Sequence, residues 1–142
     1  VYKNYNVKIV EDIYIEKGPL GGVYTALNYS KFDKVFCIAC DMPLLKRETL
    51  EKIASIEFDE NILVPKVDGR MQPLCSIYSK KLIPQIEKNI KSNNNKMIYL
   101  IENTTHKIID TNFSNIDFYN INTLNEYNKL EDISYDYGRN NN

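Results

Sequence analysis

The sequence is short of most of what familiar catalytic machinery is built from. It has one histidine and three cysteines in 142 residues, too few for the His-centred relays of nucleophilic hydrolases. A Cys3His zinc site from Cys37, Cys40, Cys75 and His106 can be written on paper, and Cys37-Ile38-Ala39-Cys40 matches the redox pattern Cys-x-x-Cys. Reactive pairs of that kind stand at a helix N-terminus, where the dipole stabilises a thiolate. Here both belong to an extended run and point to opposite faces, so the expected role is that of buried apolar cysteine. An excess of one charge is also missing: 18 Lys+Arg stand against 19 Asp+Glu, a net charge of -1. Neither nucleic acid nor an anionic membrane is therefore expected as a partner. No apolar run approaches the roughly 20 residues of a membrane span, and the expected setting is the cytoplasm.

What is present reads as one α/β domain. A chain of 142 residues buries roughly two thirds of the surface its unfolded form exposes, and it needs no disulfide staple. Val35-Phe36-Cys37-Ile38-Ala39-Cys40 is uncharged and rich in β-branched, aromatic and sulfur side chains, the pattern of a strand buried on both faces of a parallel sheet. Asp41 ends it, followed by Met42-Pro43. A carboxylate at the C-terminal end of such a strand stands at the mouth of the crevice where open α/β sheets bind ligands. Asp41 is read as a metal ligand; capping of the turn at Met42-Pro43 is the simpler alternative.

Before that strand, Val7-Lys8-Ile9-Val10 alternates as a short strand and leads to Glu11-Asp12, where Asp12 is either a second strand-end carboxylate or a solvated turn residue. Gly18-Pro19-Leu20-Gly21-Gly22 precedes Val23, Ala26 and Leu27 at helical spacing, with the helix running to about Tyr29. Glycines before a helix start let backbone N–H groups approach an anion, although the stretch is neither a Walker loop nor a dinucleotide fingerprint and such a turn is commonly just a turn. After Asp41, Lys46 to Ile56 is an amphipathic helix, Asn61 to Pro65 a strand, Asp68-Gly69 a turn, and Gln72 to Tyr78 a strand opened by proline. Lys80 to Ile90 is helical with Pro84 in the first turn. Met97 to Ile101 begins a short helix, with a strand as the alternative, Lys107 to Asp110 is a strand, and Leu124 to Leu130 a closing helix capped by Thr123 with Glu126 as its capping-box partner. The pattern predicts a three-layer α/β sandwich, mostly parallel, with one antiparallel strand near Pro73 to Tyr78; residues 1–133 form the domain and 134–142 a polar tail.

Five pieces in order, Ile9-Val10-Glu11-Asp12, Gly18-Pro19-Leu20-Gly21-Gly22, Cys40-Asp41-Met42-Pro43-Leu44, Asp68-Gly69-Arg70-x-Gln72-Pro73-Leu74 and Asn120-Ile121-Asn122-Thr123, resemble the molybdenum cofactor guanylyltransferases. The resemblance implies a Rossmann-like nucleotidyltransferase fold, Mg2+ as cofactor, GTP and molybdopterin as substrates, and other molybdenum cofactor biosynthesis proteins as partners. It implies that Asp41 holds the metal at the catalytic centre, and that Asp12, Gly18, Leu20, Gly21 and Gly22 line the nucleotide side. It further implies that Asn120, Asn122 and Lys96 hold molybdopterin. Two positions depart from the family pattern: Leu124 replaces a proline, and Lys96 replaces an arginine, which keeps the charge but loses the bidentate fork.

Family members begin with a strand and a loop of the form Leu-Ala-Gly-Gly-x-Ser-x-Arg-Met-Gly-x-Asp-Lys that wraps the triphosphate, roughly 50 to 60 residues before the point matching Val1, a βαβ unit's length. That loop is not in this sequence, and the 142 residues alone are expected to bind Mg-GTP poorly and turn over little. Two other readings stand beside the guanylyltransferase: a sister nucleotidyltransferase using CTP or a sugar phosphate, and a non-catalytic module that binds molybdopterin or a partner enzyme.

Overall fold

The computed structural model describes residues 7–110, 113–121, 123 and 126. Helix α1 spans Gly18–Tyr29, and strand β1, Lys34–Ile38, follows it. Helix α2 is Arg47–Ala54, and three strands come next: β2 (Ile62–Val67), β3 (Arg70–Met71) and β4 (Cys75–Ser79). A 3-10 turn, Lys80–Leu82, leads into helix α3, Ile83–Lys91; helix α4, Met97–Glu102, and strand β5, His106–Ile109, complete the alternation before a last 3-10 turn, Asn115–Phe118.

The main sheet has the order β1-β4-β2-β5, with β3 added to β2 as the return of a hairpin. That hairpin turns at Asp68 and Gly69, whose φ values of 48° and 75° suit an Asp-Gly pair. β4 runs antiparallel to both β1 and β2, while β2 and β5 are parallel, so β1, β2 and β5 share one direction. The antiparallel strand expected near Pro73 to Tyr78 is thus present. Its insertion between β1 and β2 leaves β2–β5 as the one parallel ladder among the described residues.

Alternation along β2 builds two cores. Ile62 and Val64 join Leu20, Val23, Leu27, Ile86, Leu100 and Ile101 from α1, α3 and α4 on one face, whereas Leu63 and Val67 join Met42, Ile53, Ile77, Ile109 and Phe118 on the other. Helices cover both faces, as a three-layer sandwich requires, and each fully buried Leu or Ile contributes roughly 1.5–3 kcal/mol. Pro84 sits in the first turn of α3, where its missing N–H costs nothing.

Four expectations need correction. Val7 to Val10 forms no strand; Val7 and Ile9 are 60% and 61% exposed, and a strand without a ladder partner has nothing to hold it extended. β1 is shorter than expected and only half-buried: β4 is its one neighbour among the described residues, so its other edge lies open. The glycine stretch is not a loop before a helix but the first turn of α1 itself. Of the three cysteines, Cys75 is buried as expected, whereas Cys37 is only half-buried on the edge strand and Cys40 is exposed because the strand stops two residues before it. Met97 to Ile101 is helical, and Thr123 and Glu126 make the reciprocal capping-box bonds, 3.0 Å from the Thr123 N–H to Glu126 Oε2 and 3.2 Å from the Glu126 N–H to Thr123 Oγ1. The body of the closing helix, Asn122 and the polar tail lie outside the described residues.

Candidate active site

A trough of about 580 Å3 runs along the open edge of β1, lined by Pro19, Gly22, Val23 and Ala26 of α1, by residues 35–39 and by Cys40, Asp41 and Leu74. The glycine turn and the strand-end aspartate, read separately in the sequence, therefore line one crevice. Gly18 takes φ +58° at the helix start, and a Cβ on Gly21 would stand 2.9 Å from the Tyr14 carbonyl oxygen. These two positions need glycine, the first for its backbone conformation and the second because segment 13–16 lies directly on the helix. No side chain caps the N-terminus of α1 and no acidic residue sits in its first turn, so its free N–H groups and positive dipole end remain suited to a phosphate. Leu20 has no exposed surface and can offer a ligand only its backbone.

Asp41 follows the end of β1, half-buried, with its Oδ1 out of solvent and without a hydrogen-bond partner. No arginine or lysine pairs with it among the described residues. Its backbone carbonyl accepts a 2.9 Å hydrogen bond from the Ile121 N–H, which draws Asn120 to the same place. Asn120 is also half-buried, and its Oδ1 is likewise enclosed and unpartnered. Enclosed polar atoms are otherwise almost always satisfied, so these two oxygens, on segments joined by one backbone contact, make the junction a candidate ligand site.

The remaining expected residues are less tightly gathered. Asp12 is exposed, and the next residue is anchored to α1 by a 2.9 Å bond from the Ile13 N–H to Thr25 Oγ1. Lys96 is exposed at the N-terminal end of α4, on the helix whose apolar side chains feed the other core. No contact among the described residues ties Lys96 or Asp12 to the Asp41–Asn120 junction.

Three groups absent from the sequence-based set belong to the surroundings of this junction. Asp117, 2% exposed, accepts a short hydrogen bond from the Thr49 hydroxyl of α2 and lies 3.6 Å from the Lys46 ammonium. A lone acidic residue between Ile116 and Phe118 was the available signal in the sequence, and it is a weak one.

Burial pushes the Cys37 thiol up to about 11 and the Cys75 thiol up to about 12, so neither supplies a thiolate at neutral pH. His106 is engaged through Nδ1 with the Thr104 carbonyl at 3.0 Å. Neither buried thiol therefore serves as a nucleophile. No group of three or more His, Cys, Asp or Glu among the described residues could hold a metal unaided. Mg2+, however, is held typically by one or two carboxylates, with phosphate oxygens and water completing the shell. One unpartnered carboxylate oxygen at the margin of a crevice fits that requirement. No helix of the described residues is long and apolar enough to cross a membrane.

Residues 1–107 match the model of the MobA-like NTP transferase domain. A Clostridium perfringens protein named probable molybdenum cofactor guanylyltransferase is 38% identical over 138 residues, 91% of this chain and 69% of that relative. A Desulfosudis oleivorans protein named molybdenum cofactor guanylyltransferase is 30% identical over 92% of the chain and 68% of its own length. The crystal structure of molybdopterin-guanine dinucleotide biosynthesis protein A from Archaeoglobus fulgidus superimposes with a TM-score of 0.75 at 25% identity, covering 93% of this chain and 70% of that one.

Proposed function

The chain belongs to the MobA-like NTP transferase family, and from that premise we propose that it transfers GMP from GTP to molybdopterin, giving the guanine dinucleotide form of the molybdenum cofactor and pyrophosphate. The names carried by its relatives support guanylyl transfer over a sister chemistry on CTP or a sugar phosphate. We take the setting to be the cytoplasm, with other molybdenum cofactor biosynthesis proteins as partners. The observation that carries the residue-level reading is the enclosed, unpartnered Asp41 Oδ1 at the crevice; the Asn120 Oδ1, in the same state, belongs to the segment whose next residue bonds the Asp41 carbonyl.

A terminal phosphate oxygen of molybdopterin attacks the α-phosphorus of GTP. One P–O bond forms as the bond to the β-phosphate oxygen breaks, and pyrophosphate leaves in line with that electron pair. Transfers of this kind ask the protein mainly for alignment and charge neutralisation, so a chain with one histidine can serve. Asp41 would hold Mg2+, which when bound neutralises phosphate charge. The uncapped N-terminus of α1, from Gly18 through Leu20 and Gly21 to Gly22, receives phosphate oxygens on backbone N–H groups, and Asp12 contacts the nucleotide. The Asn120 Oδ1 accepts from N–H donors of the pterin, Asn122 assists from the same segment, and Lys96 meets the molybdopterin phosphate.

Asp41→Asn keeps the side chain's shape and removes its charge. Transfer should fall by about 100-fold or more, the equivalent of roughly 3 kcal/mol, while the melting temperature stays within a few degrees. Competition by unlabelled GTP but not CTP should suppress wild-type labelling of molybdopterin. Wild-type turnover in the Asn variant would remove Asp41 from the centre, and equal competition by CTP would remove guanine selectivity.

A further inference from the structure

We propose that Asp117 is a positioning residue that fixes the segment carrying Asn120 against the Asp41 turn, and so sets the pterin subsite relative to the nucleotide subsite. This rests on the assignment of Asn120 to molybdopterin and of Asp41 to the nucleotide side. The two sides of the junction are held very differently. The Asp41 turn has its own anchors: the Ala39 N–H donates to the Leu74 carbonyl at 2.8 Å, the Leu45 N–H to the Met42 carbonyl at 3.3 Å, and Met42 is buried in the core beneath α2. Among the described residues, the segment 119–121 has no ladder. It is carried by the 3-10 turn Asn115–Phe118, whose start, middle and end each have a fastening.

At its start, Asn115 Nδ2 donates to Asp68 Oδ2 at 3.0 Å in the exposed hairpin turn. At its end, Phe118 enters the same core as Met42. Between them, Asp117 reaches α2, taking the Thr49 hydroxyl on Oδ2 and facing the Lys46 ammonium with Oδ1. Two residues beyond Phe118 comes Asn120, and then the Ile121 N–H bonded to the Asp41 carbonyl. The fastening at Asp117 is both directional and enclosed, whereas the Asn115–Asp68 bond is exposed.

An aspartate here is a poor choice for stability. Its Oδ1 has no hydrogen bond, and the nearest ammonium, on a mostly exposed lysine, is 3.6 Å away. An apolar residue of similar size would avoid the desolvation cost of a buried carboxylate, which pairing at that distance repays incompletely. A carboxylate does what an apolar side chain cannot: it fixes the rotation of the 3-10 turn about its axis by bonding to Thr49, and with it the direction in which Asn120 points. A misplacement of about 1 Å between two reacting substrates is enough to lower transfer substantially.

The test separates positioning from packing. In Asp117→Leu, amide hydrogen exchange at Ile121 should accelerate at least about tenfold while the amides of β2 keep their protection. Molybdopterin affinity, read from pterin fluorescence in the enzyme, should weaken about tenfold, and GTP affinity should change by no more than about twofold. The melting temperature should hold or rise. Asp117→Asn keeps a hydrogen bond to Thr49 and should move in the same direction by less, which preserves the test if the Leu variant does not fold. Unchanged exchange at Ile121 in the folded Asn and Leu variants would overturn the proposal, as would equal weakening of GTP and molybdopterin. Asn120→Ala distinguishes the two levels. If it leaves molybdopterin binding unchanged, the pterin assignment is wrong, yet exchange at Ile121 still decides whether Asp117 orders the junction.

Discussion

The two faces of the sheet are built on different terms. Under α1, α3 and α4 the interior is almost wholly hydrocarbon, with Leu20, Leu27, Ile62, Val64, Ile86, Leu100 and Ile101 fully withdrawn from water. The other face is covered by α2 alone among the helices described, with only its Thr49 and Ile53 buried, and polar atoms intrude. Of six enclosed side-chain atoms without partners among the described residues, four belong to Asp41, Ser114, Asp117 and Asn120 on the stretches around that side, against Asn89 and Asn95 near α3 and α4. One face is the more cohesive, and the other carries the oxygens proposed above to meet ligands. On that proposal, substitutions on the first face change stability and those at the second change chemistry.

The largest effect that would break this comparison lies on the apolar face. Leu100→Ala should lower unfolding free energy by about 2–5 kcal/mol, because the cavity it leaves is hemmed in by α3 and β2. Denaturant titration checks it, and a loss under 1 kcal/mol would mean that face is less tightly packed than its burial indicates. Adjacent glycines sharpen the comparison within one helix. Gly21→Ala drives a Cβ to 2.9 Å from the Tyr14 carbonyl and should cost about 1–3 kcal/mol. Gly22→Ala meets nothing within 4 Å and should stabilise by up to about 1 kcal/mol through helix propensity. Equal melting temperatures for the two variants would contradict the close approach of segment 13–16.

The smallest effect is electrostatic. Lys91 at 2.8 Å, and then Tyr14, donate to Glu87 and hold its carboxyl below the ordinary glutamate value. Its contribution is present above the unfolded value and is lost as pH falls through the lower folded one. Because the pair is open to water, Glu87→Gln should move the melting temperature at neutral pH by no more than about 2 °C, and less still in high salt.

How far these features could be read in advance follows from their range along the chain. The helices at Lys46 to Ile56 and Lys80 to Ile90, the Asp68-Gly69 turn and the Thr123–Glu126 capping box depend on residues within four positions of one another, and all were legible in outline. The antiparallel strand at Pro73 to Tyr78 was legible too, but its seat between β1 and β2 was not, since strand order is decided by contacts distant in sequence. The same cause explains the error at Val7 to Val10, where an alternating pattern is real but no partner strand lies beside it among the described residues. In the site, Asp41 announced itself by ending an uncharged run. Asp117, Thr49 and Lys46 did not, because an aspartate in a polar stretch looks like any surface residue until α2 is folded over it.

The strand order carries a consequence in time. β2, β3 and β4 are consecutive and meet through short connections, so their hairpin can close early at little entropic cost. β1 must wait for β4 to be laid down, and β5 must travel back past α3 and α4 to reach β2. The central hairpin is therefore the natural nucleus, and the two outer strands arrive last, one on each flank. The Asp41 turn leaves from the end of β1, and the chain beyond β5 leads on to Asn120, so the crevice takes shape only when both latecomers have docked.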